Sequence, residues 1–156
     1  MINAPFKPAE LPRRSVVADE IPQRSRASHP PLILLFTRDR AFHEVVAEAL
    51  LGRSAIVLIA RTVADALRLV CQRGAELDLV VMDFDDGCRG MTLLSAVHTC
   101  YEQLPVLITA ARDEAHVQQV AYAHGARACL EKPFATETLS NVIASLRDSP
   151  ERLMAA

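Results

Sequence analysis

The sequence predicts a doubly wound α/β domain, a five-stranded parallel sheet covered by helices on both faces. Three observations predict it. Short, continuous apolar runs recur five times after Pro31, the texture of strands buried on both faces. Segments with apolar residues at i, i+3 and i+4 separate them, as amphipathic helices require. Only a few residues join one to the next, and strands that alternate strictly with helices over short loops are parallel strands with covering crossovers.

The runs are LILLF (32–36), AIVLIA (55–60), LDLVVMDF (77–84), PVLIT (105–109) and ACL (128–130). Helices are expected near 40–51, 62–73, 90–101, 113–124 and 135–147. The clearest stripes are Val63, Ala66, Leu67 and Val70, and Leu139, Val142, Ile143 and Leu146. Thr62 followed by Asp65 resembles a capping box with Asp in place of Glu, and Gly74 and Gly125 stand where left-handed helix C-terminal caps are wanted. Five such units in about 120 residues suggest a flavodoxin-like domain with strand order 2-1-3-4-5, whose ligands gather beyond the carboxyl ends of the strands.

Before this domain, six of the nine prolines fall in the first 31 residues, interleaved with five basic and three acidic side chains. Such a segment cannot bury enough apolar surface to offset its ordering entropy. The expected organisation is a flexible arm over 1–31, a domain over 32–148 and a short tail over 149–156. With 156 residues, 23% charged and a formal net charge of -2, the chain is one ordinary domain without the basic footprint of a nucleic-acid binder. Cys71, Cys88, Cys100 and Cys129 have no C-x-x-C spacing and read as reduced, mostly buried small hydrophobes. No run is long enough to span a bilayer, and the start lacks a secretory apolar core, so a cytoplasmic protein without a membrane partner is expected. A phosphate-cradling glycine loop is missing too.

The strand ends carry the chemistry. The third run ends in Asp83, followed by Phe84, Asp85, Asp86 and Gly87. A carboxylate at the tip of an apolar strand must be solvated, paired or functional, although Asp-Asp-Gly is also ordinary turn chemistry. The fourth run ends in Thr109, a residue type that often just satisfies loop backbone. After the fifth comes Glu131-Lys132-Pro133-Phe134, and Lys132 is one of only two lysines beside fifteen arginines. An ammonium there suits a carboxylate or a phosphoryl group.

From about 32 to 147 the chain resembles the receiver domain of two-component response regulators. The resemblance rests on Asp83 in LVVMDF, Thr109 in VLITA, Gly90-Met91-Thr92-Leu93-Leu94, and the string GARACLEKPF. It implies that Asp83 is the position phosphorylated by a histidine kinase, that Thr109 and Lys132 contact the phosphoryl oxygens, and that the Lys132–Pro133 bond is cis. It also implies magnesium held by acidic residues at the end of the first strand, with Asp83 and the Asp85 carbonyl.

Here the pattern breaks. The first strand ends Phe36-Thr37-Arg38-Asp39, so Thr37 and Arg38 stand where the family has its acidic pair, and only Asp39 is a carboxylate. Phosphoryl transfer depends on neutralising the equatorial oxygens, and magnesium wants several hard oxygen ligands. The metal site of Asp83, Asp85 and Asp39 is therefore expected to be weak or lost, with Asp39 serving as the N-cap of the first helix. Arg38 is expected to take the metal's place, pairing with Asp83 together with Lys132. The strand-five aromatic that the family uses as a switch is Cys129 here, which has no ring to relocate.

The reading is a stand-alone, atypical receiver, not an enzyme, that acts as a protein-interaction module with weakened or absent magnesium-dependent phosphorylation. The alternative is a conventional phospho-accepting single-domain regulator. A flavodoxin-like enzyme or flavin carrier is remote, because TRDRAF is no phosphate loop. The partners implied are a histidine kinase or another signalling protein, and a second copy bound through the fourth helix, fifth strand and fifth helix.

Overall fold

The computed structural model describes residues 29–84, 89–112 and 115–148. Five strands and five helices alternate: β1 (Leu32–Phe36), α1 (Arg40–Ala49), β2 (Ile56–Ala60), α2 (Val63–Arg73), β3 (Leu79–Asp83), α3 (Arg89–Cys100), β4 (Val106–Ala111), α4 (Ala115–Ala123), β5 (Ala128–Lys132) and α5 (Thr136–Asp148). All pairings are parallel, in the order β2-β1-β3-β4-β5, as the sequence predicts. Apart from 29–31, the expected arm and tail lie outside the described residues.

Strand alternation splits the core into two layers. Leu34, Val80, Met82 and Ile108 pack with Ala66, Val70, Leu93, Leu94 and Val97 on one face of the sheet. Ile33, Leu35, Val81 and Leu107 pack with Phe42, Val46, Leu139 and Ile143 on the other. The central strands are therefore apolar on both faces except at Asp83 of β3 and Thr109 of β4, and β1 and β3 are buried throughout. The same texture misleads at β2. Its run reads as a fully buried strand, yet β2 is an edge strand, with Ile56 49% and Ile59 39% exposed. Position in the sheet is a tertiary property that a local run does not encode.

The helix signals locate their ends well. Asp39 is the N-cap of α1, its side chain accepting from the Ala41 N–H at 2.9 Å, and Thr62 caps α2 through the Asp65 N–H at 3.1 Å. Gly125 takes the left-handed conformation, φ 105°. Gly74 does not: it sits at φ -56°, ψ -36°. What requires glycine there is space, since a Cβ would lie 2.3 Å from the Tyr101 ring. The thiols differ from expectation as well. Cys71 and Cys100 are exposed and Cys129 is half-buried, because the first two fall on helix faces turned away from the sheet. Cys88 lies outside the described residues.

Candidate functional site

Register brings the strand tips together. Met82 of β3 stands beside Phe36 of β1, Asp83 beside Thr109 of β4, and Thr109 beside Leu130 of β5. Asp83 therefore ends its strand flanked by β1 on one side and β4 on the other. Asp83, Thr109 and Thr37 are the buried polar residues among those described, and a buried polar group has to be hydrogen-bonded. They bond to one another. Thr109 Oγ1 donates to Asp83 Oδ1 at 3.2 Å, and Thr37 Oγ1 donates to Asp83 Oδ2 at 3.0 Å.

Lys132 supplies the charge. Its Nζ lies 2.5 Å from Asp83 Oδ1, with 24% of the lysine side chain exposed. The ammonium also stands over the Phe42 ring of α1, 5.0 Å from its centroid. The Lys132–Pro133 bond is cis, as the resemblance implies. The structure thus brings together three of the residues picked out from the sequence, Asp83, Thr109 and Lys132, and gives each carboxylate oxygen a donor.

The β1 end differs from expectation at Arg38. This side chain is exposed, and its Nε donates to the Arg61 carbonyl at 3.3 Å, across the β1–β2 edge. The group expected from Arg38 at Asp83 is instead the hydroxyl of Thr37. Alternation past the strand end explains the exchange: Thr37 turns into the protein, so its neighbour turns out, where a guanidinium keeps its hydration at little cost. Thr37 Oγ1 also accepts the Asp39 N–H at 3.0 Å, so one hydroxyl links the carboxylate to the start of α1. Sequence reasoning treats Thr37 as a lost ligand and overlooks it as a donor. Phe42 is overlooked entirely; its signal was an aromatic on the inward stripe of α1, one turn beyond the strand tip.

A divalent cation at this site would need several oxygens free to coordinate it. Among the described residues no group of three His, Cys, Asp or Glu side chains converges on one point. Asp39 spends a carboxylate oxygen on the helix cap, Thr37 contributes a neutral hydroxyl, and Asp83 accepts from two hydroxyls and an ammonium. Asp85 lies outside the described residues. The described donor set does not fit a magnesium cage.

At the outer edge of β5, the Cys129 N–H donates to the Tyr122 hydroxyl of α4 at 3.2 Å. Burial pushes the Cys129 thiol up to about 11, with the Tyr122 hydroxyl pulling the other way. Tyr122 is raised as well, by burial and then by Cys129. His98, His116 and His124 are exposed and His43 is half-buried.

The family model for the response regulator receiver domain matches residues 33–144, well over half of the chain. Solved structures with the same fold include a response regulator receiver domain protein from Clostridium thermocellum, 22% identical, covering 80% of this chain and 99% of that one, TM-score 0.69. A CheY-like receiver domain protein from Methanospirillum hungatei JF-1 is 20% identical, covering 80% and 98%, TM-score 0.69. A response regulator from Thermotoga maritima is 19% identical, covering 78% and 100%, TM-score 0.70. A search of curated proteins returns no match. Likeness at these identities speaks for the fold, and the match across 33–144 speaks for descent: this chain belongs to the response regulator receiver domain family.

Proposed function

We propose that this receiver works as an atypical signalling module, with a pocket neutralised by its own side chains and weak or absent magnesium-dependent phosphorylation. The observation that carries the reading is the hydrogen bond from Thr37 to Asp83 Oδ2. At the end of the first strand, a hydroxyl donor stands where the family places a metal-binding carboxylate. With Lys132 and Thr109 on Oδ1, the acceptor carboxylate is already satisfied, and an incoming phosphoryl group must displace those bonds with little help from a dication.

Such a domain acts by binding. Its partners are a histidine kinase or another signalling protein, and the face formed by α4, β5 and α5 is the surface proposed for a second copy. Val120 and Tyr122 of α4, both exposed, support that choice. The proposed location is the cytoplasm and the proposed role is non-enzymatic; no described helix is long and apolar enough to cross a membrane.

The conventional reading keeps one specific support, the convergence of Thr109 and Lys132 on Asp83, the arrangement that receives a phosphoryl group. Incubation with acetyl phosphate or beryllofluoride plus magnesium, read by intact mass and chemical shift, separates the two readings. The atypical reading expects substoichiometric modification at most. Full modification at Asp83 overturns it.

A further inference from the structure

The position of the Lys132 ammonium is defined from two sides, and only one belongs to the pocket described so far. A lysine has a long stem with many rotamers, and a single carboxylate contact leaves much of that freedom intact. Here the ammonium also lies over the face of Phe42, 5.0 Å from its centroid. Phe42 is itself fixed. It is buried in the α1/α5 layer and meets Phe134 edge to face, with centroids 6.3 Å apart and planes at 83°. That is a favoured aromatic geometry, and it leaves the electron-rich face of Phe42 to the cation.

We propose that Phe42 is a positioning residue: its ring, held by Phe134, keeps the Lys132 ammonium on Asp83 Oδ1. This deepens the reading of an internally paired pocket and rests on that pair. The consequence is a mechanical link. Phe42 belongs to α1, whose first turn is anchored by the Asp39 cap and through it to Thr37. Phe134 lies two residues before α5. The pocket's cation therefore follows the packing of α1 against α5, and whatever shifts that packing releases or tightens the hold on Asp83.

The test uses the chain's scarcity of lysine, since Lys7 and Lys132 are the only two. Acetylation by N-hydroxysuccinimidyl acetate, followed at Lys132 by mass spectrometry and referred to Nα-acetyl-lysine amide in the same tube, reports how firmly the amine is held. Phe42→Leu is expected to raise the Lys132 rate about three- to tenfold, the range of a cation–π contact at a partly buried ammonium. Phe42→Tyr restores protection. Equal rates in Phe42→Leu and the wild type overturn the proposal, as does a Phe42→Tyr variant as fast as Phe42→Leu.

Asp83→Asn separates the two claims. If it leaves Lys132 as protected as before, the internal pair itself fails; if it exposes Lys132 while Phe42→Leu does not, only the role of Phe42 fails. Should Phe42→Leu not fold, the wild type decides by lysine-labelled spectra, assigned with Lys7→Arg. Upfield ring-current displacement of the Lys132 ε-protons supports the proposal, and unshifted protons overturn it.

Discussion

On the β3–β5 side of the pocket, Asp83, Thr109 and Lys132 stand at neighbouring strand tips, with the Thr109 hydroxyl and the Lys132 ammonium both on Asp83 Oδ1. On the β1 side, Thr37 turns its hydroxyl onto the same carboxylate, Asp39 caps α1, and Arg38 leaves for the Arg61 carbonyl. One side brings a hydroxyl and an ammonium to Asp83, while on the other the described carboxylate, Asp39, is engaged in the helix cap and a neutral hydroxyl meets Asp83. The difference is between a side where a hydroxyl and an ammonium meet on one oxygen of Asp83 and a side where a neutral hydroxyl ties the other oxygen to the start of α1. Charge neutrality at Asp83 then comes from within the chain.

The largest effect should follow from making the β1 side acidic again. Thr37→Asp with Arg38→Asp restores an acidic pair to the end of β1, with the new carboxylate at 37 facing Asp83, so we expect magnesium affinity to rise at least about tenfold, the factor that about 1.4 kcal/mol of added attraction gives. In metal-free buffer the same variant should melt below the wild type, because like charges then face one another. Calorimetric titration with magnesium and thermal unfolding with and without it measure both. An unchanged affinity breaks the comparison at its root.

Next in size is Lys132→Met. It takes the Lys132 ammonium away from a buried carboxylate, and should cost about 2–3 kcal/mol in urea unfolding. That is short of the 3–5 kcal/mol of a fully buried pair because the lysine is partly exposed. Thr37→Val keeps the shape, removes a donor from Asp83 Oδ2 and removes an acceptor from the Asp39 N–H. About 1–2 kcal/mol is expected, whereas Arg38→Ala should stay within about 0.5 kcal/mol, as exposed positions do. If Arg38→Ala proves the costlier of these two, the two residues have been assigned each other's roles.

Much of this was legible in the sequence. The fold, the strand order and the grouping of Asp83, Thr109 and Lys132 follow from periodicity and the order of motifs, because apolar alternation and strand-end chemistry are local signals. The direction of Arg38 was not, because the family's acidic pair drew attention to charge at positions 37 and 38 and away from the alternation that turns Thr37 inward and Arg38 outward. Thr37 was read by what it lacks, a charge, instead of by the proton it can donate. The exposure of Ile56 and Ile59 follows from β2 lying at the sheet edge, where the expected strand order puts it, although its apolar run taken alone reads as buried on both faces.

The smallest effect concerns the β5 edge. Burial raises the Cys129 thiol from its ordinary 9.0 to about 11, so the folded chain holds a proton there that the unfolded chain gives up. Between those two values the unfolded state binds fewer protons, and stability falls as pH rises from 9 to about 11. Below pH 9 the contribution is fully present. Cys129→Ser should flatten that decline in unfolding measured across the window, and the slope should remain if another group is responsible.

The central claim, that Asp83 is satisfied by Thr37, Thr109 and Lys132 in place of a metal, is tested most directly by titrating magnesium while following the amide resonances of Thr37, Asp83 and Thr109. The account predicts small, linear, unsaturated shifts of the kind nonspecific screening produces. Saturable binding in the low millimolar range, with all three resonances moving together, would contradict it.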